Sequence, residues 1–350
     1  METDDKPKPH GGRRLGLVAL ALGLVIAAAA VAGIGPFARD DWRGSGTGRV
    51  EVKVVKGDSI AAIGRHLVDA GSVRTVKAFI RSAEAEPDLG RRIQPGVYAM
   101  RQGMSARDAL ERFFESDARI EMVVRVREAR RASSVLTSIA EQSGISERAL
   151  KAAARAASAR LPKYSEGEIE GFLYPATYRF DPDASARTVV NEIIAIAKQR
   201  QSDAGLRNPP ATLGLTSRQV LTAASIIQAE AYPRDYAKVA RVIYNRLAVG
   251  RPLQMDSTLN YALGTSKLTF TNAERANRSP YNTYAHAGLP PGPIGSPSQA
   301  AIKAALAPAV GDWFYFVTTN PDTGLTEFAV TDSQFMLLRE KFRAWLASKQ

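Results

Sequence analysis

The chain has 350 residues, 45% of them hydrophobic and 23% charged, the proportions of an ordinary globular protein long enough for two folded domains. It contains no cysteine, which excludes disulfides and thiolate metal sites, and its three histidines, His10, His66 and His286, are too scattered to form a metal cluster. A net charge of +12 suits an anionic partner, yet the arginines are spread along the chain and no nucleic-acid-binding signature accompanies them.

Residues 1–14 are polar, with Lys6, Lys8, Arg13 and Arg14 directly before an uncharged apolar run from Leu15 to Gly35. That run is long enough to span a bilayer, and the basic residues before it favour a cytoplasmic N-terminus. A cleavable signal peptide is the alternative, since Ala30-Val31-Ala32 has the pattern of a cleavage site. Under either reading the rest of the chain is exported. A Gly-rich linker at 36–48 comes next.

From Arg49 the alternation Val-Glu-Val-Lys-Val-Val predicts a strand, and Ser59 caps a helix with apolar positions at Ile60, Ile63, Leu67 and Val68. A short helix is expected over Thr75–Ala83, a turn into a strand at Gln94–Tyr98, and a further helix over Ser105–Phe114. A strand at Ile120–Val126 and helices at Ser133–Gln142 and Ser146–Arg160 complete an α+β N-terminal half without an evident catalytic constellation.

The stretch Leu215–Pro233 reads as a buried helix carrying a single carboxylic acid, Glu230, near its end. Thr216 and Gln219 have capping-box spacing, and Pro233 cannot continue the helix and pushes Tyr232 out of helical geometry. At about 100° per residue Val220, Ala223, Ala224, Ile227 and Ala231 share one face, and Glu230 projects between Ile226 and Ala223, inside the apolar sector. Desolvation and the negative end of the helix dipole both favour the protonated acid, which is what a general acid requires. The alternative is a structural ion pair with Arg241 or Arg246 on the next helix, expected over Asp235–Val249.

Further on lie Leu253-Gln254-Met255-Asp256-Ser257-Thr258 and a long loop, Ser279–Pro297, rich in Tyr, Asn and Thr and stiffened by Pro290, Pro291, Pro293 and Pro297. Such a loop suits stacking and hydrogen bonding to sugars, and equally a tight structural role.

Taken together, these segments resemble the endolytic murein transglycosylase family, the YceG-like group. The resemblance rests on Ala224-Ser225-Ile226-Ile227-Gln228-Ala229-Glu230, Asn245-Arg246-Leu247, Leu253 through Thr258, and above all Tyr281 through Ile294. Residues 49–118 are similar to the LysM-like region of that family, on Val55-Lys56-Gly57-Asp58-Ser59 and Gln94-Pro95-Gly96-Val97-Tyr98. The implied architecture is α+β: a cytoplasmic tail (1–14), a single transmembrane anchor (15–35), a linker (36–48), the LysM-like module (49–118), a connecting α+β region (119–165) and a mixed α+β catalytic domain (166–350).

The chain departs from the family pattern at several places. Gln228 replaces a glutamate, Ser257 a proline, and Ala176 an aspartate; Thr326-Glu327-Phe328 stands for His-x-Phe, and a later histidine falls near Phe335. No essential role is therefore expected for the C-terminal strand, Trp313–Thr318, or for the segment after it.

The resemblance implies a lyase of the inner membrane that acts on peptidoglycan outside the cytoplasm. It would cut the MurNAc-β-1,4-GlcNAc bond inside glycan strands, leave 1,6-anhydroMurNAc ends and limit nascent strand length. Glu230 matches the catalytic acid, and Gln254, Asp256, Tyr281, Asn282, Thr283 and Tyr284 are the expected substrate-binding residues. No cofactor or metal is implied. Cell-wall synthesis enzymes are possible partners, and a nucleic acid is not expected. Two other readings stay open: a hydrolytic muramidase using Glu230 with Asp256, and a non-catalytic glycan-binding scaffold. A pyridoxal-phosphate lyase is set aside, because Lys198, Lys238 and Lys267, the lysines between Glu170 and Ile294, lie outside every resembling segment.

Overall fold

A computed structural model describes residues 40–349, so the expected tail (1–14) and apolar segment (15–35) lie outside the described residues. Among the described residues no helix is long and apolar enough to cross a membrane. The chain divides into two units, Met1–Glu121 and Met122–Gln350.

The first unit is built on strands β1 (Ser45–Val54) and β2 (Gly96–Met104), paired antiparallel with Val52 opposite Tyr98. Between them run helices α1 (Ile60–Asp69), α2 (Val76–Ala85) and α3 (Pro87–Arg92); after them come α4 (Ala106–Arg112) and a short third strand, β3 (Arg119–Ile120), on the free edge of β2. The helices start where hydroxyl caps predict: the side chains of Ser59, Thr75 and Ser105 each accept a backbone N–H of the first turn, an arrangement worth ~1 kcal/mol per cap. Their apolar faces meet the sheet in a core that includes Leu67, Phe79, Met100, Leu110 and Phe113, with the Phe113 ring edge-on to Tyr98 at 4.7 Å.

The strand expected over 120–126 proves to be two. β3 stops at Ile120, and β4 (Met122–Arg125) pairs instead with β5 (Thr177–Phe180), Val124 opposite Tyr178. The second unit begins at Met122, inside the region 119–165 that reads from sequence as connecting. Helices α5 (Ala132–Ser143), α6 (Glu147–Ser158) and α7 (Ala186–Asp203) enclose Val124, Leu136, Ile139, Leu150, Tyr178, Val190 and Ile193.

The second core of this unit surrounds α8 (Ser217–Glu230), with α9 (Tyr236–Ala248) packed on it. Two short helices, α10 (Asp256–Leu263) and α11 (Asn272–Arg275), and the long proline-rich loop lead to α12 (Gln299–Leu306), which packs against both α8 and α9. Phe172, Leu206, Leu221, Ile226, Ile243 and Ile302 fill the space between them. A hairpin, β6 (Tyr315–Asn320) with β7 (Leu325–Ala329), and α13 (Asp332–Ala347) close the chain around Tyr315, Ala329 and Leu338.

Candidate functional site

α8 begins as its sequence predicts. Thr216 and Gln219 form a reciprocal capping box, and every residue from Val220 to Gln228 is buried. Glu230 is its last residue. Ala231 and Tyr232 are extended, as the next residue, a proline, requires, and Pro233 opens a short 3-10 turn. The helix therefore ends in a half-buried carboxylic acid held on the most deeply packed element of the unit.

Ser257, at the start of α10, donates its backbone N–H to Glu230 Oε1 at 3.0 Å. Burial pushes the Glu230 carboxyl above its ordinary range, the Ser257 bonding and the charge of Arg246 pull it down, and the neighbouring charge of Asp256 pushes it up. Desolvation is the largest of these effects, so the site favours the protonated acid. The alternative ion pair is not formed: Arg241 donates to the carbonyl of Ala309, while Arg246 donates to the carbonyls of Phe314 and Leu253.

The segment 254–258 is fixed from below by the loop at 279–284. Gln254 adopts a left-handed conformation (φ +52°) and donates its N–H to the carbonyl of Thr283 at 3.0 Å. Thr283 Oγ1 accepts the Met255 N–H at 3.0 Å and shares a proton with Thr258 Oγ1 at 2.8 Å. The Tyr284 hydroxyl donates to Asp256 Oδ1 at 2.5 Å. Asn282 donates to the carbonyls of Arg275 and Asn277 and accepts the Tyr284 N–H.

Two of the expected substrate-binding residues, Asn282 and Thr283, are buried. Asn282 is 0% exposed and Thr283 1%, and their polar atoms bond to the protein itself, holding the segment beside Glu230. Gln254, Asp256 and Tyr284 do line open space beside Glu230. Tyr281 lines neither cavity at the acid, but packs its ring 4.7 Å from that of Tyr261, which does.

Glu230 and Asp256 sit where two cavities share a wall. One, of about 340 Å³, is lined by Arg130, Arg131, Ser257, Asn260 and Tyr261 as well as the two acids. The other, of about 610 Å³, is lined by Arg246, Gln254, Arg275, Tyr284, Phe316, Phe335 and Arg339 as well as the two acids. The C-terminal segment, for which the sequence suggests no role, thus supplies Phe316, Phe335 and Arg339 to the second cavity. Phe335 is braced by stacking on Tyr315 at 4.6 Å.

A second buried acid escapes the sequence reading. Glu170 accepts the Ala132 N–H at 2.9 Å and the Tyr261 hydroxyl at 3.0 Å, and burial pushes its carboxyl up to about 7 against the pull of those bonds. Arg131 lies over the Tyr261 ring, 5.4 Å from its centroid, and donates to the carbonyls of Asn260 and Thr265. Glu170 stands in a stretch dense with aromatics and a proline. An acid flanked by Ile169, Phe172 and Leu173 is the available signal for its burial.

A desolvated acid at the junction of two cavities is an arrangement typical of enzyme active sites. Residues 52–341 match the YceG-like family, and the chain belongs to it. It is similar to proteins named endolytic murein transglycosylase. The one from Bacillus subtilis (strain 168) is 28% identical over 311 residues, 84% of either chain. The one from Streptococcus pneumoniae serotype 2 is 28% identical over 304 residues, 77% of this chain and 54% of that protein. The 2.6 Å crystal structure of a protein from Listeria monocytogenes described as YceG-like superposes with a TM-score of 0.56 at 26% identity, covering 83% of this chain and 99% of the other.

Proposed function

We propose that this protein cleaves the β-1,4 bond between N-acetylmuramic acid and N-acetylglucosamine inside peptidoglycan glycan strands, as a lytic transglycosylase. Glu230 protonates the glycosidic oxygen of the leaving sugar. The resulting carboxylate then takes the proton of the muramic acid 6-hydroxyl as O6 closes on C1, which leaves a 1,6-anhydro end and returns the acid to its starting state. One carboxyl suffices because no water has to be activated. The observation that carries this reading is the position of Glu230: desolvated, and open on both sides to cavities that together suit a chain cut internally rather than at its tip.

In this reading Gln254, Asp256 and Tyr284 bind sugar, and Tyr281 steadies the wall through Tyr261. The apolar segment 15–35 anchors the protein in the inner membrane with its catalytic unit outside the cytoplasm. The first unit, similar to LysM-like modules, also binds glycan, and cleavage beside the synthesis enzymes limits strand length.

Incubation of the full chain with purified glycan strands tests the proposal. Mass spectrometry is expected to show anhydro-ended products, absent with Glu230→Gln. Reducing ends without the anhydro bridge would instead indicate hydrolysis with Asp256 as the second carboxylate, a reading favoured by Asp256 lining both cavities and being held by Tyr284. Unchanged cleavage by Glu230→Gln would remove the acid from the mechanism.

A further inference from the structure

The cleft does not end with the cavities at Glu230. Arg130 and Ser134 are shared by the 340 Å³ cavity and a further one of about 490 Å³, whose walls include Arg125, Arg127, Ser138 and Glu141. Arg125 and Arg127 in turn line a third space of about 500 Å³ with Glu128 and Pro175. The path leading away from the acid therefore carries three exposed guanidinium groups.

Their charge is not neutralised within the protein. Arg125, Arg127 and Arg130 form no ion pair among the described residues. The acids nearby are Glu128, which accepts from the amide of Gln228 on α8 at 2.7 Å and keeps its charge, and Glu141 on the wall of the 490 Å³ cavity; neither pairs with these arginines, and the three cations outnumber them. Arg131, by contrast, is held by backbone carbonyls and by the Tyr261 ring. The Arg125 backbone is fixed by Gln142, which accepts its N–H at 2.8 Å and donates to its carbonyl at 3.1 Å. Two latches, one to α5 and one to α8, thus hold this arginine-bearing segment in place beside the acid.

An exposed guanidinium held beside a cleft is suited to a planar carboxylate, which it grips with paired hydrogen bonds. The sugar rings of a murein strand are uncharged, and their carboxylates belong to the peptides borne on the lactyl groups of muramic acid. We propose that Arg125, Arg127 and Arg130 form a subsite for the carboxylates of these peptide stems, so that strands still bearing stems are the preferred substrate. This rests on the glycan reading of the site and specifies which form of the glycan is bound.

The test is binding, measured on the full chain carrying Glu230→Gln so that the ligand survives. The probes are soluble glycan fragments bearing intact stems and the same fragments stripped of stems by an amidase. Stem-bearing fragments are expected to bind about fivefold more tightly, the sum of a few exposed ion pairs, and the gap is expected to narrow as salt is raised. Adding Arg125→Gln and Arg127→Gln is expected to bring the ratio of the two affinities close to one, while Arg125→Lys with Arg127→Lys retains part of it. Equal affinities in the parent overturn the stem subsite alone, as does a Gln variant that keeps the ratio or weakens both ligands equally. A parent that binds neither fragment overturns the glycan reading and this inference with it.

Discussion

Replacing Glu170 by Gln isolates the cost of burying an acid next to the cleft. The carboxyl is ordinary in the unfolded chain, at 4.5, and burial raises it to about 7 in the folded protein. Below pH 4.5 both states hold the proton and burial costs nothing. Between 4.5 and about 7 the unfolded chain has lost its proton while the folded protein retains it, so stability falls as pH rises; above about 7 the penalty is complete. The difference, about 7 less 4.5, corresponds to ~3 kcal/mol as an upper bound, and incomplete burial makes ~1–2 kcal/mol the better expectation. Gln keeps one oxygen to accept from Ala132 or Tyr261 and loses the other acceptor, at ~1 kcal/mol independent of pH. Urea unfolding at several values from pH 5 to pH 8 separates the two effects. The parent should lose ~1–2 kcal/mol more than the variant over that range. Parallel stability curves would mean that Glu170 titrates as an ordinary surface acid, and the reasoning would fail.

The other expectations rest on named contacts. Ser257→Pro removes the N–H that Glu230 accepts at 3.0 Å, in the first turn of α10 where proline is tolerated; the descending limb of the pH–rate profile should move to higher pH, and an unmoved limb would mean the bond does not act on the acid. Asn282→Ala leaves the carbonyls of Arg275 and Asn277 without their donor and should cost ~2–3 kcal/mol in denaturant unfolding, whereas a substrate-contact role would raise KM without loss of stability. Phe335→Ala removes a wall of the larger cavity and its stacking on Tyr315, and should raise KM for long strands roughly tenfold, against an unchanged value if the C-terminal segment is uninvolved.

The features legible in the chain are local. The expected helices begin at Ser59, Thr75, Ser105, Ser146 and Thr216, and in the structure each of these hydroxyls caps a helix by satisfying a free amide within one turn. The placement of Glu230 in the apolar sector of α8 is also visible, since helical periodicity needs no tertiary information. The features that escape depend on distant partners. β5 is four residues long, too short for alternation to mark it, and it becomes a strand because β4 pairs with it and Tyr178 and Phe180 turn inward. α13 buries Leu338 alone among its described residues, which leaves little periodic signal, whereas α7 buries Val189, Val190, Ile193, Ile194 and Ala197 at helical spacing and its apolar face is legible in the chain. Phe335 falls where the family has histidine, so its place on the cavity wall emerges only with the packing of α13 against β6.

Asn282 and Thr283 bear on the acid through the segment they hold, and neither lines the cavities beside it. A general acid must keep its proton without being walled off from the bond it cleaves, and desolvation by itself favours the first demand over the second. Burial is the largest influence on Glu230, and one short segment adds two smaller ones of opposite sign: the N–H of Ser257 lowers its affinity for the proton and the charge of Asp256 raises it. Their balance depends on where that segment sits. Thr283 holds it through the amides of Gln254 and Met255, and Asn282 holds the loop that carries Thr283 and Tyr284. Buried side chains that line neither cavity thus fix the segment that tunes the proton affinity of Glu230, and polar residues in such a loop are hard to tell by sequence from ligand contacts because their partner is the backbone.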